Sequence, residues 1–372
     1  MDRRSRISLV AGIVVSGVAL FLAFRNVPFT DLVAYAATIQ YKWIVPSLAV
    51  ALASFLIRVF RWRIILGSAH RVGMWDAYHP MIIGFMVNCI LPGRVGEIVR
   101  PLVLRERSGV PVATGLATVG AERVLDMVLL IAMLAWVMAT MEVDPNLEIT
   151  FGGYRLSWDT IQGILSGMVQ LSAAAIGGIV LLSLPAVRKP LTRWAARAPF
   201  LLFFLSQKRR KTWSDRLQPL LERITENIAA GFSEIRSFWK LALCLLLSAS
   251  IWLLVGWSYR LMAYGCPGID LTFNQMVAVM VIICFAIALP SVPGYWGIWE
   301  AGGVFALYLF GISATDASGF TLVNHAVQIL PVMVLGFISV LITGTNLHRS
   351  PHRTPISGTV GNERISNSAS SD

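Results

Sequence analysis

Seven charged residues sit in or against apolar sequence and hold most of the chemistry this chain could perform. Arg94, Glu97 and Arg100 fall in LPGRVGEIVR, Glu122, Arg123 and Asp126 in ERVLD, and Glu300 in YWGIWEAG. Charge is costly in hydrocarbon, so such groups turn toward a cavity or a partner. Glu122 and Asp126 are four apart and share one helical face, while Arg123 and Asp126, three apart, can pair. A guanidinium forks onto carboxylate or phosphate, which makes Arg94 and Arg100 candidate contacts for an anionic group. The plainer reading of 122–126 is an interfacial cluster, because unbroken apolar sequence begins only at Val124. For Glu300, between Trp299 and Ala301, the functional reading is the stronger. Arg58, Arg61 and Arg63 close an apolar run, and at least two of them are expected to snorkel to an interface. The sharper reading is an anionic-headgroup site. Thr321, Asn324, His325 and Gln328 form a polar stripe that suits interhelical hydrogen bonding as well as a pathway.

Other chemistries find little support. Cys89, Cys244, Cys266 and Cys284 show no CxxC and no metal-ligand spacing, so no disulfide, metal or cofactor is expected. No HExxH surrounds His70, His79, His348 or His352. Ser313 in GISA, with His325, faintly echoes a serine–histidine hydrolase, but four loop residues do not make a triad. No catalytic residue is assigned. An embedded lipid-modifying enzyme using Glu97 or Glu300 as acid and base is the more credible enzymatic alternative.

Two similar breaks must position these charges. The first reads Leu91-Pro92-Gly93-Arg94-Val95-Gly96-Glu97, the second Val292-Pro293-Gly294-Tyr295-Trp296-Gly297-Ile298-Trp299-Glu300. Proline removes a backbone donor and glycine admits unusual dihedrals. In hydrocarbon the freed groups need internal partners or a wet cavity. Paired interruptions in the two halves of a membrane chain point to a transporter binding site. Gly93, Gly96, Pro293, Gly294 and Gly297 therefore join the seven charged residues as candidate substrate contacts. The alternative is that each break is an ordinary polar loop between spans. If each is instead the tip of a re-entrant hairpin, residues 75–107 and 273–311 form an inverted repeat entered from opposite sides.

The bulk composition fixes the class. Of 372 residues 56% are hydrophobic and only 14% charged, with mean hydropathy +0.68, whereas soluble domains carry about 25% charged residues. The expected fold is all-α, a polytopic membrane bundle of six to eight spans. A span needs about 20 apolar residues; the candidates are 7–24, 43–60, 124–140, 161–184, 241–264, 273–289, 298–310 and 320–342. The run at 7–24 follows MDRRSR but lacks a cleavage site, so it reads as a retained span rather than a signal peptide. The net charge of +11 reflects basic loops rather than nucleic-acid binding. Basic stretches before residue 7, at 58–107 and at 188–211 alternate with an acidic one around 142–159, so both termini are expected on the cytoplasmic side of an inner membrane. Residues 1–345 form the transmembrane domain, with a basic cytoplasmic insertion at 185–240. The Ser/Gly/Asn-rich tail, 346–372, is expected to be disordered.

The motifs RVFRWRIIL (58–66), GFMVNCILPGRVGEIVRP (84–101), ERVLD (122–126) and PGYWGIWE (293–300) resemble the transmembrane region of lysylphosphatidylglycerol synthases, the flippase-like domain family. The resemblance covers about residues 1–345. It implies bundled helices with re-entrant elements and a link to moving lipids between leaflets. The family's bifunctional members also carry a soluble aminoacyl-transferase domain. Because the sequence stops at 372, that domain and its chemistry are not expected here. The implied function is translocation of an anionic, polyprenyl, glyco- or hopanoid-type lipid, without enzymatic activity. The alternative partner role is a non-catalytic companion of a lipid or glycan synthase, with 188–211 as its docking surface.

Overall fold

The computed structural model describes residues 27–67, 70–140, 238–288 and 292–344, with short stretches between 17 and 23 and between 148 and 190. The expected span at 161–184 is described only in fragments. Most of 7–24, most of the basic insertion and all of the tail lie outside the described residues. Nine helices are named here: α1 (Phe29–Thr38), α2 (Ile44–Leu66), α3 (Met74–Ile90), α4 (Gly96–Ser108), α5 (Val112–Thr140), α6 (Phe238–Gly265), α7 (Phe273–Ala286), α8 (Ile298–Tyr308) and α9 (Ala314–Thr343). A short antiparallel hairpin, β1 (Glu148–Phe151) with β2 (Tyr154–Ser157), lies in the loop after α5. The sequence reading did not anticipate it, and it leaves the bundle all-α.

The element order repeats. A long helix, two short helices around a break and a second long helix occur first as α2, α3, α4, α5 and again as α6, α7, α8, α9. Among the described residues four helices are long and apolar enough to cross a membrane, within 41–66, 112–140, 238–265 and 314–343. The short ones are not: 14 residues of α7 and 11 of α8 rise about 21 and about 16 Å at 1.5 Å per residue. The runs 273–289 and 298–310 therefore do not stand as full spans, and α3 packs on α4 as α7 packs on α8.

Local chemistry explains the ends. Thr272 and Gln275 make a reciprocal capping box at the start of α7. Gly109 at φ 68° stops α4 in the left-handed region, and Gly344 at φ 60° does the same for α9. Small residues set the crossings. Gly96 backs directly onto the Gly84 carbonyl, leaving no room there for a Cβ, and Ser47 and Ser258 exchange hydroxyl–carbonyl hydrogen bonds of 2.8 and 3.0 Å where α2 meets α6. Such contacts let helix backbones approach where lipid is no less apolar than leucine. The outward faces stay apolar; Val45 is 70% and Leu341 82% exposed.

Two expected boundaries move. Helix α5 begins at Val112, twelve residues before the apolar run, so Glu122 and Asp126 lie well inside a helix and are buried. They are not an interfacial fringe. Helix α2 continues to Leu66 and buries Arg58 and Arg61. Neither snorkels. Both face the bundle because Ser47, Ala51, Ser54, Arg58 and Arg61 share its buried stripe.

Candidate functional site

The site begins at the two breaks, which share two successive residues of positive φ and then diverge, Val95 being helical and Trp296 extended. Gly93 (φ 78°) and Arg94 (φ 54°) both take left-handed dihedrals, and so do Gly294 (φ 70°) and Tyr295 (φ 62°). A non-glycine residue rarely takes a positive φ, so Arg94 and Tyr295 are unusual at these positions. Each turn then delivers a glycine whose N–H is held by a side chain. Gly96 N–H donates to Asn88 Oδ1 at 2.7 Å, and Gly297 N–H to Glu300 Oε2 at 2.6 Å. The tips meet. An Nη of Arg94 donates to the Ile287 carbonyl at 3.1 Å, and the 293–295 turn packs on α3.

Behind the first tip lies a ladder of alternating charge. Arg94 reaches Glu97 at 4.0 Å, Glu97 reaches Arg123 at 3.8 Å, and Arg123 reaches Asp126 at 3.7 Å. Asp126 pairs with Arg61 at 2.5 Å, Arg61 lies 3.5 Å from Glu122, and Glu122 pairs with Arg100 at 2.6 Å. Arg58 adds a contact to Asp126 at 3.7 Å. Five guanidiniums thus face three carboxylates, a surplus of two positive charges. Aromatic faces share the load: Arg100 stacks 3.5 Å above Trp62 and Arg58 lies 5.1 Å from Trp252. Among the described residues no group of three metal-ligating side chains occurs.

A cavity of about 990 Å³, its mouth included, opens onto this ladder between the tips. Arg58, Arg94, Glu97 and Arg123 line it. Phe55, Phe85, Trp252, Ile329 and Val332 line it as well. Arg100 sits on the wall of a smaller adjoining cavity that shares Glu97 and Arg123. Gly96 also borders that smaller space, while Glu122 and Asp126 are packed behind as counter-charges.

The second break is organised differently. Pro293 opens its turn. Glu300 is fully buried and does not line the cavity. His325 Nδ1 meets its Oε1 at 2.5 Å, and His325 Nε2 meets the Gly294 carbonyl at 2.9 Å. The imidazole lies parallel to Trp299, centroids 4.5 Å apart, and Trp299 lines the cavity. The candidate charges find partners within the bundle. Glu97 approaches Arg94, Glu122 takes Arg100 and His325 takes Glu300. Arg58 and Arg61, for which snorkelling is the favoured sequence reading and an anionic-headgroup site the sharper one, belong to the cluster.

Long apolar helices, broken hairpins and a charged interior define a polytopic α-helical integral membrane protein. The chain belongs to the family described as "Lysylphosphatidylglycerol synthase TM region", whose model matches residues 9–336. It is also similar to a protein named "Glycosyltransferase AglD" from Haloferax volcanii, with 21% identity over 359 residues. That similarity covers 92% of this chain and 55% of the relative, so the chain spans about half of the longer protein's length.

Proposed function

We propose that this protein moves lipids with anionic headgroups between leaflets, using the cavity between the two tips as the headgroup's polar path. The observation that carries this is the cavity's double character. Guanidiniums with surplus positive charge suit a phosphate, and the aromatic and aliphatic wall suits the adjoining chains. Family membership supports a lipid-related role. The test uses purified protein in liposomes containing fluorescent phosphatidylglycerol, with leaflet-resolved quenching. Unchanged lipid crossing faster than in protein-free vesicles supports the reading. No acceleration together with a new lipid species would favour a lipid-modifying enzyme, with Glu97 as the carboxylate that reaches the cavity.

The relative's name motivates a second reading, in which the cargo is a lipid-linked sugar or the chain accompanies a lipid or glycan synthase. A polyprenyl-phosphate sugar presents the same phosphate to the same arginines, so the geometry suits it equally.

The hairpins enter, on this reading, from opposite sides of the membrane, the first from the cytoplasm. The support is charge: the base of the first hairpin carries Arg71, Arg105 and Arg107, whereas that of the second carries Asp270 and Asp316 with no Lys or Arg between 265 and 272 or 309 and 316. Cysteines introduced at the exposed positions Glu106 and Asp270, in a chain with its native cysteines replaced by serine, should react with an impermeant maleimide from opposite faces. Reaction of both from one face would reject the inversion.

A further inference from the structure

We propose that the headgroup this cavity selects is a terminal phosphate, a monoester with two negative charges, in preference to a phosphodiester with one. The surplus charge of the ladder lies where such a group would sit. Arg61 pairs with Asp126 at 2.5 Å and Arg100 with Glu122 at 2.6 Å. These four side chains are buried, none lines the main cavity, and they cancel one against one. The cavity wall keeps Arg58, Arg94 and Arg123 against Glu97 alone. Both surplus positive charges therefore belong to the wall. The preference rests on the translocase reading above only where movement is concerned; binding does not need it.

The donors on this wall are largely unspent. Arg58 and Arg123 each stand 3.7 Å from Asp126, Arg123 stands 3.8 Å from Glu97, and Arg94 stands 4.0 Å from Glu97. All four contacts are longer than a hydrogen bond. Among the described residues Arg58 and Arg123 donate no hydrogen bond, and Arg94 gives one, to the Ile287 carbonyl. The three guanidiniums are also close together. Arg94 and Arg123 flank a single oxygen, Glu97 Oε1, while Arg58 and Arg123 flank another, Asp126 Oδ2. Nitrogens of neighbouring guanidiniums thus stand within about 8 Å of each other, a gap that the oxygens of one phosphate bridge with bonds of ordinary length.

A terminal phosphate brings three unsubstituted oxygens to these three guanidiniums, and it carries close to two charges above its second pKa of about 6. A diester brings two such oxygens and one charge. The neutral polar groups of the wall point the same way. Ser54 Oγ–H donates to the Ala51 carbonyl at 2.6 Å, Gln328 Nε2–H donates to Ser258 Oγ at 2.9 Å, and Asn88 Oδ1 accepts the Gly96 N–H at 2.7 Å. A glycerol or sugar hydroxyl beyond the phosphate would compete with these bonds. A bare phosphate oxygen needs only the guanidiniums.

Titration calorimetry on the full-length protein in uncharged detergent, at about pH 8, compares dihexanoyl phosphatidate, a monoester doubly charged there, with dihexanoyl phosphatidylglycerol, a diester. Phosphatidate should bind at least about tenfold more tightly, the value of one added charge-assisted hydrogen bond. Arg94→Gln lowers the wall's surplus to one charge and should narrow that ratio at least about threefold; Glu97→Gln raises the surplus to three and should widen it. Arg107→Gln, at the base of the first hairpin and outside the cavity, should leave the ratio unchanged. Equal binding of the two lipids by the unaltered protein overturns the proposal. So does a ratio that neither wall variant moves, or one that Arg107→Gln moves as far as Arg94→Gln does. A second arm follows both lipids between leaflets in liposomes, each measured against protein-free vesicles. Selective binding with neither lipid accelerated leaves the phosphate site standing and counts against translocation. Equal binding with both lipids accelerated overturns the preference and leaves translocation standing.

Discussion

Arg61→Ala is expected to remove about 3–5 kcal/mol of stability, enough to prevent recovery of folded protein. Arg61 is buried and stands between two acids, with Asp126 at 2.5 Å and Glu122 at 3.5 Å. It also donates to Ser248 on α6 at 2.5 Å, so it ties α2, α5 and α6 together. Without it, Asp126 keeps only contacts of 3.7 Å, to Arg58 and Arg123, and Glu122 keeps Arg100. Buried charge with poor partners is the costly situation, whereas replacing both members of a pair by apolar groups of similar volume costs far less. Arg61→Met combined with Asp126→Leu should therefore recover most of what Arg61→Ala loses. Thermal unfolding in detergent, followed by monodispersity on a sizing column, makes the comparison. Equal stability of Arg61→Ala and the unaltered protein would mean that the ladder carries no structural load.

Arg94→Ala is expected to leave the fold intact and to slow lipid movement by at least about tenfold, the value of one charge-assisted hydrogen bond at the site. Its side chain is 40% exposed, so removing it leaves no unpaired charge in the interior. It is the outermost guanidinium of the ladder, at the point where the tips touch. Arg94→Lys should recover part of the rate, since an ammonium keeps the charge and loses the fork. Wild-type rates for Arg94→Ala in the fluorescent phosphatidylglycerol assay would make the breaks architectural and would favour the role beside a synthase.

The two Pro-Gly-x-x-Gly breaks are legible because they interrupt apolar runs with residues of fixed physical meaning, and the left-handed φ at Gly93 and Gly294 follows from that spelling. The acid–base segment ERVLD is legible for the same reason: three charges against apolar sequence invite a partner. The partners were harder to read. Hydropathy places Arg58 and Arg61 at the end of a span, where lysine and arginine ordinarily reach for water. The neglected signal is the spacing of Ser47, Ala51, Ser54, Arg58 and Arg61, a small and polar stripe that marks a helix face turned inward. The early start of α5 was hidden because Val112–Ala121 is rich in small residues rather than strongly apolar ones. Glu300 drew attention as a lone acid, yet its partner His325 is 25 residues away. Only the packing of α8 on α9 brings them together.

The surplus of two positive charges in the ladder has an electrical meaning. A doubly charged anion would neutralise the site, and a neutral complex exchanges no energy with the membrane field as it moves. The emptied site stays charged. Each elementary charge carried through a full potential of 100 mV exchanges about 2.3 kcal/mol, so two exchange about 4–5 kcal/mol if they cross the whole field and proportionately less for a shorter excursion. If the proposed translocase carries its charged site across the membrane with the cargo, an interior-negative potential would draw the unloaded arginines inward. Voltage would then drive the return stroke and leave the loaded one almost untouched.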